Sequence, residues 1–309
     1  MDKNKKKIGL IAVGCLTVGF GIGSAFQNSS QYVSFNLKNP VSADVSVQSS
    51  GAAPKLPVRL DFAGEAVPLN DIEVRERLDR EIIVNTFRHS STLILMKKAN
   101  QWIPTLKKIL KEQNIPEDFI YLSMAESDLS HVSSPSNASG FWQFLKPTAE
   151  QYGLIVNDEV DERFHIEKST YAACRYLKDS YDKLGSWTLA AAGYNRGIAG
   201  IGRDADSQGS RNYYDLYLNT ETSRYVFRIL ALKLIHQNPS HFDYQIESSD
   251  LYEPYQYKEV EVSGPVSSWI EFARQQGTSY KELRRHNTWI RSTSMKNTAK
   301  NTFKVKIPV

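Results

Sequence analysis

Residues 116–144 read PEDFIYLSMAESDLSHVSSPSNASGFWQF. Pro116-Glu117-Asp118 suits a first helical turn, because proline tolerates the first helical position and acidic side chains favour the positive end of the helix dipole. Phe119, Leu122 and Glu126 then follow at steps of three and four, so they share one helical face. A solvated glutamate belongs opposite such apolar residues; in line with them it faces inward. Desolvation disfavours a charged carboxylate and raises its pKa, toward ~6 in catalytic examples. A proton is then available to donate near neutral pH. Taken alone, Glu126 is also compatible with an ordinary surface glutamate, but a Ser/Gly/Asn-rich loop and then Trp142-Gln143-Phe144 follow it. An inward acid beside a polar loop points to proton-transfer chemistry.

The pattern around this stretch is helical. Upstream, Val74, Leu78 and Ile82 repeat at four residues, and Met96, Ala99, Ile103, Leu106 and Leu110 carry a longer helix ending near Asn114. Downstream, a short helix opens at Pro147 and stops at Gly153, and Ile166, Thr170, Ala173, Leu177, Tyr181 and Leu184 mark another closed by Gly185. Residues 187–194 and 221–237 complete the set, with Pro239 as the last stop. Beyond Asp250 the period changes. Tyr257 to Val262 alternates, helical patterns follow around Trp269–Gln275 and Tyr280–Arg285, and Phe303 to Ile307 alternates again, an order that fits a small β-α-α-β module.

At the N-terminus, Lys3, Lys5, Lys6 and Lys7 precede an uncharged run from Ile8 to Phe26. As a helix this run spans about 28 Å, close to a bilayer core. It reads equally as an export signal, with Gly23-Ser24-Ala25 as a small-residue cleavage site, or as an uncleaved anchor. The formal net charge is +4, of which residues 1–27 supply four Lys less one Asp, +3, leaving the remainder near +1. The basic balance is therefore a targeting feature and gives no reason to expect a nucleic-acid partner. From Gln27 to about Pro57 the chain is rich in Ser, Gln, Asn and Val without a period, as in a tether. The expected organisation is a signal peptide or membrane anchor over 1–27, a flexible linker over 28–66, a mainly α domain over 67–245 and an α+β module over 250–309.

Other chemistries find little support. The six His residues are scattered without metal-ligand spacing, so neither a metal nor a cofactor is expected. Gly197, Gly200 and Gly202 form a glycine-rich patch, but no strand precedes it as a nucleotide loop requires. Cys15 lies in the N-terminal run and Cys174 in a helix at core spacing, so the exported part holds no cysteine pair.

Read in order, Glu126-Ser127, Ser134, Ala138, Gly140, Trp142-Gln143-Phe144, Pro147-Thr148-Ala149 and Tyr152-Gly153-Leu154 resemble the soluble lytic transglycosylase family, particularly its membrane-bound MltD-like branch. Asp161-Glu162-Arg163, Ser169-Thr170, Ala172-Ala173 and Tyr176-Leu177 continue the match. Ala191-Ala192-Gly193-Tyr194-Asn195-Arg196-Gly197 is similar to the family's Tyr-Asn-x-Gly signature, and Glu221-Thr222 with Tyr225-Val226 to a later groove motif. The resemblance spans about residues 68–245. It departs at Asn137, where the family usually has Gly and where Asn is the residue next best able to take a left-handed backbone, and at Gly193, which replaces a usual Ala.

The resemblance implies a lysozyme-like helical domain that cleaves the β-1,4 bond between N-acetylmuramic acid and N-acetylglucosamine in peptidoglycan, leaving 1,6-anhydromuramyl ends. Glu126 would act first as general acid and then as base. Ser134 and Gln143 would line the subsite near the muramyl group, Tyr194 and Asn195 would approach Glu126 and the N-acetyl group, and Glu221 would belong to the groove. The implied partners are peptidoglycan glycan strands and, if the N-terminal segment stays attached, the cell membrane; the implied location is the exported bacterial cell envelope, periplasmic or membrane-anchored. The C-terminal module resembles a divergent LysM unit, through Ser267–Gly277, Ser279-Tyr280, Leu283 and Asn287-Thr288-Trp289, which implies peptidoglycan binding. Alternatives are a non-catalytic wall-binding scaffold and a lysozyme-type hydrolase. Against the latter, residues 128–140 offer only Asp128 as an acid, and two positions beyond Glu126 it points elsewhere on a helix.

Overall fold

The computed structural model describes residues 53–309. The signal or anchor expected over 1–27, and the tether up to residue 52, lie outside the described residues.

The expected tether gives way to structure before residue 66. Strands β1 (Asp61–Phe62) and β2 (Glu65–Ala66) pair antiparallel around a turn at Ala63 and Gly64, both at positive φ. This hairpin is too short to register as a strand period, yet it is bound on several sides. Phe62 is fully buried against Phe119. The Ala63 amide donates to Asp118 Oδ2 at 2.6 Å, and Lys233 reaches the same carboxylate at 2.8 Å. Asp118, expected to serve a helix dipole, therefore ties the hairpin down instead.

Helix α1 (Ile72–Phe87) starts on Asp71, whose carboxylate accepts from the amides of Glu73 and Val74. It turns directly into α2 (His89–Glu112), which buries Met96, Ala99, Leu106 and Leu110 as the spacing predicts. Helices α3 (Phe119–Ser127), α6 (Trp187–Arg196) and α8 (Thr220–Gln237) form the centre. Residues 119–124 of α3 and 188–195 of α6 are buried without a break, as a helix with neighbours all round requires. α4 (Lys146–Gln151) and α5 (Ile166–Leu184) pack outside them, and Gly185 ends α5 in the left-handed conformation. The N-terminus of α6 is capped twice: Ser186 Oγ accepts from the Leu189 amide, and the Glu65 carboxylate of the hairpin accepts from the Trp187 and Thr188 amides at 2.6 and 2.9 Å. Residues 198–208 form a further helix, α7, which the pattern did not predict because Gly200 and Gly202 dilute it.

The C-terminal module has the predicted β-α-α-β order. Strand β3 (Tyr257–Val262) pairs antiparallel with β4 (Phe303–Pro308), from Tyr257 opposite Pro308 to Val262 opposite Phe303, and α9 (Trp269–Gln275) and α10 (Tyr280–His286) lie between them in sequence. Phe303, Val305 and Ile307 alternate inward onto Trp269, Leu283 and Trp289. Val160 and Phe164, from the helical body, belong to this same core.

Candidate active site

Glu126 sits one residue before the end of α3, half-buried where the otherwise enclosed helix reaches the surface. The chain then reverses sharply: Asp128 and Leu129 both take left-handed backbone, at φ 47° and 49°. Ser123 and Ser127, on the face of α3 turned to the returning loop, donate to the Phe141 carbonyl at 3.3 and 2.9 Å. The loop is thereby fixed to the helix that carries the acid.

The loop itself is held by backbone pairing. The Ser134 amide bonds the Ala138 carbonyl at 2.8 Å, Ser139 bonds Phe144 at 3.0 Å, and Gly140 bonds Val132 at 2.9 Å. Asn137 takes φ 62°, the conformation anticipated for the residue in the usual glycine position. Gly140, at φ 79°, is required twice over, because a Cβ there would overlap the Arg163 carbonyl.

Ser134 is buried, and its Oγ accepts from the Ala138 amide at 3.0 Å, closing a small ring within the loop. Gln143 is buried at φ 45°, an uncommon conformation for a residue other than glycine that costs on the order of 1–3 kcal/mol. Its amide donates to the Gly140 and Val132 carbonyls at 2.7 and 3.1 Å, which offsets part of that strain. Trp142 is a core residue, fully buried with its indole nitrogen on Thr170 Oγ1 at 2.9 Å.

Tyr194 and Asn195 come up from below on α6. The Tyr194 phenol is fully buried and donates to the Trp142 carbonyl at 2.7 Å, next to Gln143. Asn195 Oδ1 accepts from Thr222 Oγ1 at 2.8 Å, linking α6 to the first turn of α8. Glu221 does not cap α8; Asn219 does, accepting from the Thr222 amide at 3.0 Å, and Glu221 pairs with Arg228 at 3.2 Å. Arg228 and Arg224 converge on Glu81, a buried carboxylate on α1, at 3.9 and 2.6 Å.

Tyr225, fully buried on α8, is in direct contact with Glu126, its phenol donating to Glu126 Oε1. The sequence shows Tyr225 within the Glu221-Thr222-x-x-Tyr225 motif but does not assign it a role, since a buried tyrosine at helical spacing reads as core. Arg163 is the other residue whose part was not apparent. It pairs with Asp161 at 2.7 Å and donates to the carbonyls of Asn137 and Phe144 at 2.8 and 3.1 Å, joining the central turn of the loop to its closing end. Asp128, the next acid after Glu126, is engaged by Arg88 at 2.7 Å. Among the described residues no cluster of His, Cys, Asp and Glu is arranged to hold a metal ion.

Residues 104–217 match the family described as Transglycosylase SLT domain, and residues 258–309 match the Soluble lytic transglycosylase C-terminal LysM-like domain. Glu126, Ser134, Gln143, Tyr194 and Asn195 fall in the first match; Glu221 and Tyr225 lie beyond it. The chain is also similar to the Membrane-bound lytic murein transglycosylase D of Escherichia coli, from strain K12 and from strain O6:H1 CFT073, at 27% identity over 236 residues in each case. That alignment covers 74% of this chain and 50% of each relative, so the chain spans about half the length of the curated relatives it matches.

Proposed function

We propose that this chain, which carries a transglycosylase SLT domain and a LysM-like C-terminal domain and is homologous to a membrane-bound lytic murein transglycosylase, is a peptidoglycan lytic transglycosylase. The observation that carries the reading is Glu126, half-buried at the open end of an enclosed helix and held by the Tyr225 phenol, while the neighbouring acid Asp128 is tied to Arg88.

Glycosidases that add water ordinarily use two carboxylates, one as acid and one as nucleophile or base. In this reading Glu126 is the one carboxylate that acts, and the substrate supplies the missing groups. Protonated Glu126 would give its proton to the glycosidic oxygen as the C1–O bond of N-acetylmuramic acid breaks and the N-acetyl oxygen bonds C1. The resulting carboxylate would take the proton of the C6 hydroxyl, whose oxygen displaces the N-acetyl oxygen at C1 and closes the 1,6-anhydro ring. General acid–base help of this kind contributes ~10²–10⁴-fold. Ser134 and Gln143 line the wall near the muramyl unit in this reading. Tyr194 supports that wall through the Trp142 carbonyl, Asn195 faces the N-acetyl side, and Glu221 with Arg228 borders the groove.

The same reading places the protein in the cell envelope, acting on peptidoglycan strands close to the membrane. No helix among the described residues is long and apolar enough to cross a membrane, so an anchor rests on residues 8–26.

Mass spectrometry of digested peptidoglycan tests the assignment. Anhydro ends are expected from the intact chain and about 10²–10⁴-fold fewer from Glu126→Gln. Reducing ends would identify a hydrolase, and wall binding with no soluble product a scaffold.

A further inference from the structure

The C-terminal module is seated on the helical body along the segment 155–167, which faces two ways. Toward the module, Val160 bridges Ile290, the Asp161 amide bonds the Trp289 carbonyl at 2.9 Å, and the Arg291 amide bonds the Glu159 carbonyl at 2.9 Å. The Glu159 carboxylate accepts from the Lys296 amide at 3.1 Å, Lys306 pairs with Glu167, and Phe164 is buried in the module's core. Toward the site, the same segment supplies Arg163, whose guanidinium grips the carbonyls of Asn137 and Phe144, and the Arg163 carbonyl against which Gly140 is pressed. The module also meets this loop directly. Thr288 Oγ1 donates to the Phe164 carbonyl at 2.8 Å and lies 3.3 Å from Nδ1 of His131, which packs on Phe141.

We propose that the module, through the 155–167 segment, clamps the loop bearing Ser134 and Gln143 in its working shape, with Arg163 as the positioning residue and Thr288 as the module's contact. The geometry supports this because Arg163 is buried, is braced on Asp161 within the segment, and donates two hydrogen bonds to that loop, to the Asn137 carbonyl at its turn and to the Phe144 carbonyl where it closes. Cleavage and wall attachment are thus not separable tasks of two beads on a string. The catalytic consequence rests on the transglycosylase reading of Glu126, whereas the clamp itself does not.

The test uses the full chain with Thr288→Val, which keeps the shape and removes the hydroxyl, and Thr288→Ser, which restores it. Two quantities are read: hydrogen exchange at the amides of Ser134, Ser139, Gly140 and Gln143, and turnover of a soluble tetrasaccharide peptidoglycan fragment. Loss of this half-buried hydrogen bond should raise opening of these amides by about three- to tenfold. The kcat should fall by a similar factor with KM and wall pull-down little changed, and Thr288→Ser should recover both. Arg163→Lys, which keeps the charge but loses the fork, should loosen the same amides. If exchange accelerates only at Asp161 and Arg291 while the loop amides hold, the clamp is wrong. Loss of wall binding with unchanged loop exchange and unchanged kcat would make the module a binder only. Should the unmodified chain release no anhydro product, the activity reading fails by itself and the exchange data still decide the clamp.

Discussion

The helical body and the C-terminal module close their cores in different ways. The body's core is drawn from its own residues, from Phe62 in the hairpin to Tyr244 beyond α8. The module's is not: beside Trp269, Leu283, Trp289 and Phe303 it takes in Val160 and Phe164 from the body. A unit of some fifty residues buries too small a share of its surface to be secure alone, and two borrowed side chains offset part of that deficit. The difference teaches that the seam is part of a core rather than a contact between finished surfaces. The body closes its core with its own residues, whereas the module completes its core with side chains of its neighbour.

The largest expected effect tests the independence of the body. Glu126→Gln should lower turnover by about 10²–10⁴-fold with thermal unfolding unchanged, as measured by product release and calorimetry. A large change in unfolding would mean the acid is structural. Next comes the dependence of the module. Phe164→Ala removes a ring that packs beneath Arg291 and inside the module's core, and truncation of a buried phenylalanine costs about 3–5 kcal/mol. Urea unfolding followed by Trp fluorescence should show the module melting first; an unmoved midpoint would show that the two cores are separate after all.

A smaller effect sharpens the chemistry. Tyr225→Phe keeps the packing but removes the phenol from Glu126, and one charge-assisted hydrogen bond corresponds to roughly ten- to a hundredfold in kcat. A KM change at constant kcat would move Tyr225 from positioning the acid to binding substrate. The smallest lies at the seam. Burial, reinforced by the charges of Lys98, Lys306 and Arg291, pushes the His131 imidazole down to about 4 from its ordinary 6.5. Between these values the unfolded chain binds the proton and the folded chain does not, so the stabilising difference is complete above about pH 6.5 and is lost as pH falls toward 4. Unfolding midpoints should drop on acidification through that window, and His131→Gln should flatten the slope.

Much of the helical order was readable because breakers mark it. Gly185 ends α5 in left-handed backbone, and the acid and the two residues that follow Tyr194 stand in recognisable order. A shared face does not by itself set Glu126 apart. Residues 119–124 are buried all round, so α3 has no polar face for Glu126 to contradict; its place at the open end sets it apart. α7 was hidden by its glycines, and the hairpin by its brevity. Tyr225 and Arg163 were visible as letters but not as partners, since what each touches lies 99 and 26 positions away. No local periodicity carries such information.

The hairpin ahead of α1 gives the protein a mechanical character. Its Glu65 carboxylate sits on the first amides of α6 and its Ala63 amide on Asp118, just before α3. Tension applied to the chain ahead of residue 60 therefore bears on α8, where Lys233 holds the Asp61 carbonyl, and on the two helices that bear Tyr194 and Glu126.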